Sequence, residues 1–365
     1  MHARVVIALV ALAALAGGSR TYGARVADSY DWHLPPGVPR PRVPADNPMT
    51  EAKVRLGRRL FYDARLSGNG TYACASCHQQ KLAFTDGRPR ALGSTGQPHA
   101  RSAMSLANVA FNASFGWADP RTRSLEAQMA VPMFNEHPIE MGIKGNDKAI
   151  VARLSADPVD AQLFAEAFPG QPLALDTIVK AIASFERTII SANSPVDRYL
   201  YRDDRAALSP EARRGMALFF SDRLGCARCH TGFNLSGPTV HDGSGQATPA
   251  FHNTGLYNID GHGAYPSIDR GLFETTHAPA DMGRFRAPTL RNIALTAPYM
   301  HDGSIATLGE VIDHYASGGV QSPVKSPRLK GFATTSAETN DLLAFLNSLT
   351  DQEFLSNPAL AKPEK

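Results

Sequence analysis

Apolar side chains spaced three or four positions apart recur along most of the chain, and this spacing predicts amphipathic helices. The pattern covers about residues 50–64, 147–155, 174–191, 209–220, 307–316 and 336–349. In the last of these, the apolar stripe suits packing across an N-terminal helix. Few segments alternate with period two, and residues 232–290 are rich in Gly, Pro, Asp and His. The expected fold is therefore mainly α, with long ordered loops.

The start of the chain has the pattern of a secretory signal peptide. Arg4 is followed by the apolar run 5–16, which ends in an A-x-A cleavage site. This run of 12 residues is shorter than the ~20 that a bilayer span needs. We expect residues 1–16 to be a signal peptide cleaved near 16–24, and the mature protein to be exported to a periplasm. The proline-rich residues 25–47 predict an extended lead-in.

Composition mainly excludes classes of function. The 365 residues suit one large domain or two of ordinary size. A net charge of +3 without a basic stripe argues against binding to nucleic acid. No other segment is long and apolar enough to span a membrane. Four cysteines in an exported chain usually suggest disulfides, but their spacing indicates another use.

All four cysteines belong to two copies of the motif C-x-x-C-H. The residues are Cys74, Cys77 and His78 in the first copy, and Cys226, Cys229 and His230 in the second. Two thiols at this spacing can bond the two vinyl groups of one heme, and the next residue, His, then binds its iron. A thioredoxin-like motif, a zinc site and disulfides are the alternatives, but none needs a His directly after each pair. The chain is therefore expected to carry two covalent c-type hemes.

The segments before the two motifs also repeat. Gly57-Arg-Arg-Leu-Phe precedes the first motif and Gly215-Met-Ala-Leu-Phe precedes the second, each within a helical pattern. The order helix, loop, C-x-x-C-H is how a cytochrome c fold begins, and here it occurs twice. We therefore predict two cytochrome c-like domains, residues 48–193 and 194–350, followed by a tail at 351–365.

Two long segments resemble a known family. They are SFGWADPRTRSLEAQMAVPMFNEHPIEMG at 114–142 and GRFRAPTLRNIALTAPYMHDGSIATLGEVIDHY at 283–315. Both resemble the bacterial diheme cytochrome c peroxidase superfamily, and the resemblance covers about residues 48–350. Within the superfamily, the segment PMFNEHPIEMG and the short stretch after Tyr315 look most like the MbnH-type branch of the MauG-like enzymes.

The resemblance provides a candidate ligand for the second iron. In the superfamily, the second heme is usually bound by His and by a Met 14 residues after the His of a PY-x-H-[DN]-G motif. Here that motif contains His301, and the residue 14 positions later is Tyr315. His230 and Tyr315 would then bind the second iron, while His301 orders the loop. A phenolate is hard and anionic, so it stabilises Fe(III) and higher states. The alternative donors are His314, Met300 and Met282.

The resemblance also implies a peroxide site at the first heme. Pro132 would cover the open face of that heme, where it cannot bind iron. Gln128 and Glu140 would line the pocket, and Glu140 would move a proton from one peroxide oxygen to the other. The spacing from Pro132 to Glu140 is two residues longer than in the MauG pattern, which leaves Glu136 as the alternative acid.

Three further features are implied in the same way. Trp117, one of two tryptophans, would lie between the hemes and relay electrons. His99 is a candidate sixth ligand that would block the first heme in a resting state. A calcium site is implied between the hemes, with the backbone carbonyls of Thr296 and Pro298 as ligands. Ser102 stands where the usual Asn of that site would be.

These expectations combine into an exported diheme oxidoreductase. Hydrogen peroxide would produce a diferryl state, which would oxidise a tryptophan of a partner protein. In the MbnH-type branch the product is kynurenine in a copper-binding partner. One alternative is a diheme cytochrome c peroxidase that takes electrons from a small cytochrome or cupredoxin, although Tyr in place of Met argues against it. The other is a non-catalytic diheme electron carrier, in which both hemes would be six-coordinate.

Overall fold

The computed structural model describes residues 30–364, and this part of the chain is mainly helical. The helices are α1 (Glu51–Phe61), α2 (Cys74–Cys77), α3 (Leu125–Phe134), α4 (Asp147–Ser155), α5 (Pro158–Ala167), α6 (Leu175–Glu186), α7 (Pro195–Tyr201), α8 (Pro210–Phe219), α9 (Phe273–Thr276), α10 (Leu308–Ala316), α11 (Ser336–Asn347) and α12 (Gln352–Ser356). The strands β1 (Phe251–His252) and β2 (Phe285–Arg286) pair antiparallel. None of these helices is long and apolar enough to cross a membrane. The predicted signal peptide lies outside the described residues.

The helices predicted from apolar spacing are present, although several end a few residues earlier than expected. The prediction missed α3, α5 and α7, and also the short helices α2, α9 and α12. Helix α3 has apolar side chains on most of its surface and carries Pro132 within it, so its sequence lacks a clear stripe. Helix α7 has only seven residues, too few to establish a period. As expected, residues 232–290 consist mostly of loops.

The same helix crossing occurs twice. Helix α1 packs against α6, and α8 packs against α11. A Cβ atom on Gly57 would lie 1.9 Å from the carbonyl oxygen of Ala181, and one on Gly215 would lie 1.8 Å from the carbonyl oxygen of Asp341. Each glycine of the repeated sequence is therefore needed because the two helices touch backbone to backbone.

Buried apolar side chains form two clusters, which define a first and a second unit. The first cluster draws on residues 56–189 together with two residues near the end of the chain, and the second draws on residues 196–349. Each cluster contains one of the repeated helix crossings. The first cluster packs against Cys74 and the second against Cys226, the first cysteine of each C-x-x-C-H motif. The chain therefore builds two separate apolar cores, each next to one of the predicted heme attachment sites.

The segment after the second core returns to the first unit. Phe354 and Leu360 belong to the first cluster, although they follow the whole second unit in the chain. The Tyr62 hydroxyl donates to the Leu360 carbonyl at 2.7 Å, and the Gln80 amide donates to the Phe354 carbonyl at 3.0 Å. Residues 352–364, which we call the return segment, thus complete the core of the first unit.

A second internal repeat lies at the junction of the units and was not recognised from the sequence. Asn108 and Asn292 are both fully buried, both have positive φ (57° and 60°), and each precedes a 3-10 turn. Asn108 pairs with the backbone of Ser191, and the Asn292 amide donates to the Ser191 hydroxyl at 3.0 Å. The two asparagines thereby bind both units to the same short connecting segment, which contains Ser191.

Candidate active site

Each C-x-x-C-H motif forms a helical turn that brings its two thiols together. The first motif is helix α2, and the second begins as the 3-10 turn Cys226–Arg228. All four cysteines are free of disulfides. The disulfide alternative is therefore absent from the described structure, and every thiol is available to bond a heme vinyl group.

The two motif histidines are oriented in the same way. The Nδ1–H of His78 donates to the Phe84 carbonyl at 2.9 Å, and the Nδ1–H of His230 donates to the Leu235 carbonyl at 2.9 Å. In this tautomer Nε2 carries the lone pair. A backbone partner on one ring nitrogen is the usual arrangement when the other nitrogen binds a metal. Both histidines are thus prepared to hold iron.

A large apolar cavity adjoins the second motif. It encloses about 1520 Å³ including its open mouth, and Cys226, Cys229, His230 and Tyr315 all line it. The rest of the wall is mainly apolar. It includes Phe219, Leu224, Pro288, Ile312, Phe332 and Leu342. A flat apolar cofactor attached to the two thiols would fill this space.

Arg286 gives an independent test of the cofactor's fit. Its side chain is buried in the cavity wall and donates to the Gly116 carbonyl at 3.2 Å and to Asn112 Oδ1 at 3.3 Å. Burial lowers its pKa to about 10, and no described carboxylate offsets that effect. A buried cation without an acidic partner is costly. The propionates of a heme would supply the missing anion, so the residues present fit a heme.

Tyr315 lies in the last turn of α10 and faces this cavity. Burial, followed by the nearby thiols of Cys229 and Cys226, raises the pKa of its phenol. The free phenol therefore stays protonated, and binding to iron would release the proton. Among the alternative donors, His314 bonds the Thr254 carbonyl through Nε2 at 3.0 Å. Met300 lines the cavity, whereas Met282 is not in its wall.

An aromatic pair and Trp117 also line this cavity. His301 is buried and stacks on Phe285 with 3.8 Å between the ring centroids. The Trp117 Nε1–H donates to the Ser102 carbonyl at 3.0 Å, and the indole lines the cavity. Because Trp117 comes from the sequence of the first unit, its ring connects that unit to the second predicted heme site.

Glu140 lies at the first motif. Burial raises the pKa of both Cys74 and Cys77, and the charge of Glu140 adds to this effect, so Glu140 lies within electrostatic range of both thiols. Burial raises the pKa of Glu140 to about 7. His99 Nε2 lies 3.7 Å from Glu140 Oε2, and burial lowers the pKa of His99. A neutral imidazole, whose buried Nε2 has no other partner among the described residues, thus adjoins a carboxyl group that titrates near neutrality.

The alternative acid lies elsewhere. Glu136 is exposed and forms an ion pair with Lys144 at 2.5 Å, which lowers the pKa of Glu136. Gln128 and Pro132 lie on α3, and the Pro132 carbonyl accepts from the Met141 amide at 2.9 Å. Of these two acids, the geometry favours Glu140 as the proton carrier, because Glu136 is exposed whereas Glu140 is partly buried beside the first pair of thiols.

Sequence reasoning missed one buried acid. Glu186, in the last turn of α6, is 9% exposed, and burial raises its pKa to about 8. Its charge also raises the pKa of the Cys74 thiol. Glu186 follows Ile178 and Ile182 at steps of four residues, so it falls on the buried face of the helix. That spacing is the sequence pattern that could have identified Glu186 as buried.

The calcium candidates lie in loops that touch across the junction. The Ser102 hydroxyl donates to the carbonyls of Met300 and His301, each at 3.4 Å. Within residues 30–364 there is no group of three or more His, Cys, Asp or Glu side chains that could hold a metal ion. A calcium ion bound through Thr296 and Pro298 would depend on neutral oxygens and water. Calcium stays a prediction, and no step proposed below depends on it.

The chain is similar to known proteins over most of its length. A family model for di-haem cytochrome c peroxidase matches residues 51–205. The methylamine utilization protein MauG of Methylorubrum extorquens is 36% identical over 86% of this chain and 82% of its own length. The cytochrome-c peroxidase IdrP1 of Denitromonas iodatirespirans is 36% identical over 90% of each chain.

Solved structures give the same result. A MauG-like protein associated with microbial copper homeostasis is 47% identical, with a TM-score of 0.89, over 92% of this chain and 99% of its own. The diheme peroxidase BthA of Burkholderia thailandensis, 23% identical with a TM-score of 0.65, shares the fold over 87% of this chain and 91% of its own. These similarities confirm the resemblance found in the two long segments. The chain belongs to the diheme cytochrome c peroxidase and MauG family, whose members are heme-dependent peroxidase-type oxidoreductases.

Proposed function

We propose that this protein uses hydrogen peroxide to oxidise a tryptophan of an exported partner protein, yielding kynurenine in a copper-binding partner. The observation that carries the proposal is the Tyr315 phenol in the wall of the cavity that also contains His230. An anionic oxygen donor favours oxidised iron. It therefore suits an enzyme that retains oxidising equivalents until a large substrate has docked. The 47% identical neighbour associated with copper homeostasis supports this choice of partner.

The two hemes, when bound, would supply the redox chemistry that reduces hydrogen peroxide to water. The protein's own contribution at the first site is proton transfer. With a pKa of about 7, Glu140 is present in both protonation states near neutral pH, as a general acid and base requires. Its carboxylate takes a proton from one peroxide oxygen and returns it to the other, which leaves as water. His99 stays neutral beside it because burial lowers its pKa.

Trp117 connects the two sites in this proposal. The hydrogen bond from its indole N–H to the Ser102 carbonyl holds the ring against the second cavity. Because the ring is held in one position, its distance to each of the two predicted heme sites stays constant. A constant distance favours electron transfer through the ring. A partner protein is too large to reach either buried site directly, so it would give up its electrons at the surface. Export to a periplasm remains part of the proposal and rests on the N-terminal sequence pattern.

The test is the intact mass of a candidate substrate. The holoenzyme is mixed with hydrogen peroxide and an exported copper-binding protein from the same organism, and the product is mapped by peptide mass spectrometry. The expected result is the mass change from tryptophan to kynurenine at one residue, dependent on both enzyme and peroxide. Consumption of peroxide without any change in the partner would refute the proposal.

A second candidate is a diheme cytochrome c peroxidase. Two observations favour it: the similarity to IdrP1 and the presence of Met300, which carries a thioether, in the second cavity wall. In that case the holoenzyme would oxidise two equivalents of a reduced small cytochrome for each peroxide consumed. Rapid turnover with such a donor, together with an unmodified partner protein, would select this function.

A further inference from the structure

A line of aromatic rings leads from the second cavity towards the surface. Phe285 and His301 line the cavity and stack on each other. Behind them, the ring of Tyr265 lies 6.3 Å from Phe285 and 6.5 Å from His301, measured between centroids. The ring of Tyr257 packs edge-on against Tyr265 at 5.4 Å. Four aromatic side chains thus form one continuous set of contacts.

The inner end of this line lies near the candidate iron ligand. The charge of Tyr265 contributes to the raised pKa of Tyr315, so the two phenols lie within electrostatic range of each other. Tyr265 is only 5% exposed, and its hydroxyl donates to Asn253 Oδ1 at 2.9 Å. Asn253 itself lines the second cavity. Tyr265 is therefore a fixed, buried link between the cavity and Tyr257.

The outer end of the line has a proton acceptor. Tyr257 is partly exposed, and its hydroxyl donates to Asp302 Oδ2 at 2.5 Å. Burial, followed by this hydrogen bond, raises the pKa of Tyr257. Burial, the largest single effect, would raise the pKa of Asp302, but the hydrogen bond from Tyr257, the charge of His301 and the hydrogen bonds from Ser304 together outweigh it, and the pKa falls. At neutral pH a protonated phenol therefore faces an ionised carboxylate.

We propose that Tyr257 is the surface residue through which the peroxide-oxidised enzyme takes electrons from its protein substrate, with Asp302 as the proton acceptor. The inference rests on the proposed function and names its exit point. Tyr257 loses one electron, which moves inward through Tyr265, and its phenolic proton moves to Asp302. The resulting neutral tyrosyl radical then takes one electron from the substrate's indole and recovers the proton. Two such cycles use the two oxidising equivalents of one hydrogen peroxide. Conversion of tryptophan to kynurenine and formate removes four electrons, with water as the oxygen source, so it consumes two hydrogen peroxides.

The structure offers a matched control. Tyr201 is 43% exposed, and its ring packs on Gly37. Within the described residues, it has no ring contact with another aromatic side chain and no carboxylate bonded to its hydroxyl. Tyr201 and Tyr257 thus both reach the surface, but only Tyr257 has an aromatic connection to the cavity and a proton acceptor.

The experiment locates the radical directly. The holoenzyme is treated with one equivalent of hydrogen peroxide and the spin trap 2-methyl-2-nitrosopropane, without any partner, and the adducts are mapped by peptide mass spectrometry. The expected adduct lies on Tyr257 and is absent from Tyr201. Tyr257→Phe should abolish it, Tyr265→Phe should reduce it at least ~10-fold because the route is interrupted, and Tyr201→Phe should change nothing.

The outcomes separate this inference from the proposed function. An adduct on Tyr257 that persists in Tyr265→Phe, or adducts only at other residues, would overturn the exit route while leaving the peroxide chemistry intact. If peroxide leaves the heme absorbance of the wild-type holoenzyme unchanged, the proposed function fails and the exit route fails with it. In each variant the rate of that absorbance change serves as the check that the peroxide site is undamaged.

Asp302 is tested as the proton acceptor by the pH dependence of the adduct yield. Asp302→Asn keeps a hydrogen-bond acceptor but cannot take a proton, so adduct yield at Tyr257 should fall at least ~10-fold at neutral pH. The yield should recover as pH rises, because hydroxide replaces the carboxylate, and Asp302→Glu should restore it. The other charged or titratable groups facing this pair are Arg90, His301 and Tyr265. A pH profile unchanged in Asp302→Asn would remove the proton-acceptor role.

Discussion

Replacing Tyr315 with phenylalanine would remove the phenol from the second cavity without altering its apolar wall. If the phenolate binds iron, its loss removes an anionic donor, so the reduction potential of the second heme should rise. Loss of ~3–4 kcal/mol of stabilisation would lower the rate of partner oxidation by ~10²–10³. Potentiometric titration followed by absorbance measures the first effect, and partner mass spectrometry measures the second.

Tyr299 provides the control for Tyr315. It also lines the second cavity, but its hydroxyl donates to the Ile293 carbonyl at 3.1 Å. Tyr299→Phe should therefore leave the potential and spectrum of the second heme unchanged, while Tyr315→His should keep a low-spin heme with a neutral donor. A spectrum and potential unaffected by Tyr315→Phe would show that another donor, such as Met300, binds the iron.

Glu140→Gln should slow the reaction with peroxide by ~10²–10⁴ because the proton carrier is lost. In the wild type, the reactive form is the carboxylate, so the rate should increase as pH rises through about 7, the pKa of Glu140. The variant should lose that dependence. Stopped-flow absorbance between pH 5 and 9 checks both expectations, and Glu136→Gln, at the exposed Lys144 ion pair, should behave as the wild type.

Glu140→Gln should also change how the stability of the fold depends on pH. Burial raises the pKa of Glu140 above that of the unfolded chain, so the folded state binds the proton more tightly. The wild type should therefore lose stability as pH rises from about 4.5 through 7. Denaturant midpoints of Glu140→Gln should decline less over this range than those of the wild type; a parallel decline would contradict the assigned pKa.

At the scale of elements, the two helix crossings predict an unusual response to alanine. Gly→Ala inside a helix ordinarily stabilises it by about 1 kcal/mol. In Gly57→Ala or Gly215→Ala the new methyl group would instead meet a backbone carbonyl at 1.9 or 1.8 Å. Each substitution should destabilise the fold by ~1–3 kcal/mol, since the partner helix must move. Circular dichroism during denaturant unfolding measures the change.

Gly309 in α10 is the matched control for these crossings. A Cβ atom there would meet nothing closer than Thr307 Oγ1, at 3.8 Å. Gly309→Ala should therefore leave stability unchanged or increase it by up to ~1 kcal/mol. If Gly57→Ala and Gly309→Ala shift the midpoint equally, the close backbone contact between α1 and α6 is not the reason for the glycine.

The features that could be predicted from sequence are those set by short spacings. The heme attachment motifs depend on five consecutive residues, and α1, α8 and α11 have clear apolar stripes. The choice between Glu136 and Glu140 could not be made this way, because it depends on the loop that holds Glu140 through the Ser94 amide. The role proposed for Tyr257 could not be predicted from sequence either, because its hydrogen-bond acceptor, Asp302, is 45 residues away in the chain.

For the whole molecule, the two separate cores predict independent heme attachment. The holoenzyme should carry two covalent hemes by intact mass under denaturing conditions, because both pairs of thiols are free and each adjoins a separate core. Cys226→Ala should disturb attachment only at the second motif. Cys74→Ala should do the reverse. Heme lost completely on denaturation of the wild type would contradict covalent attachment at either site.

Because of the return segment, the first unit is synthesised first but its apolar core is completed last. Phe354 and Leu360 fill the core around α1 and α2, yet they are synthesised only after the entire second unit. An N-terminal domain usually folds while the ribosome is still translating the rest of the chain. Here the core of the first unit stays incomplete until the second unit has emerged. Any machinery that attaches heme to Cys74 and Cys77 before that point therefore acts on a unit whose apolar core is incomplete. The C-terminal residues of the chain complete that core last.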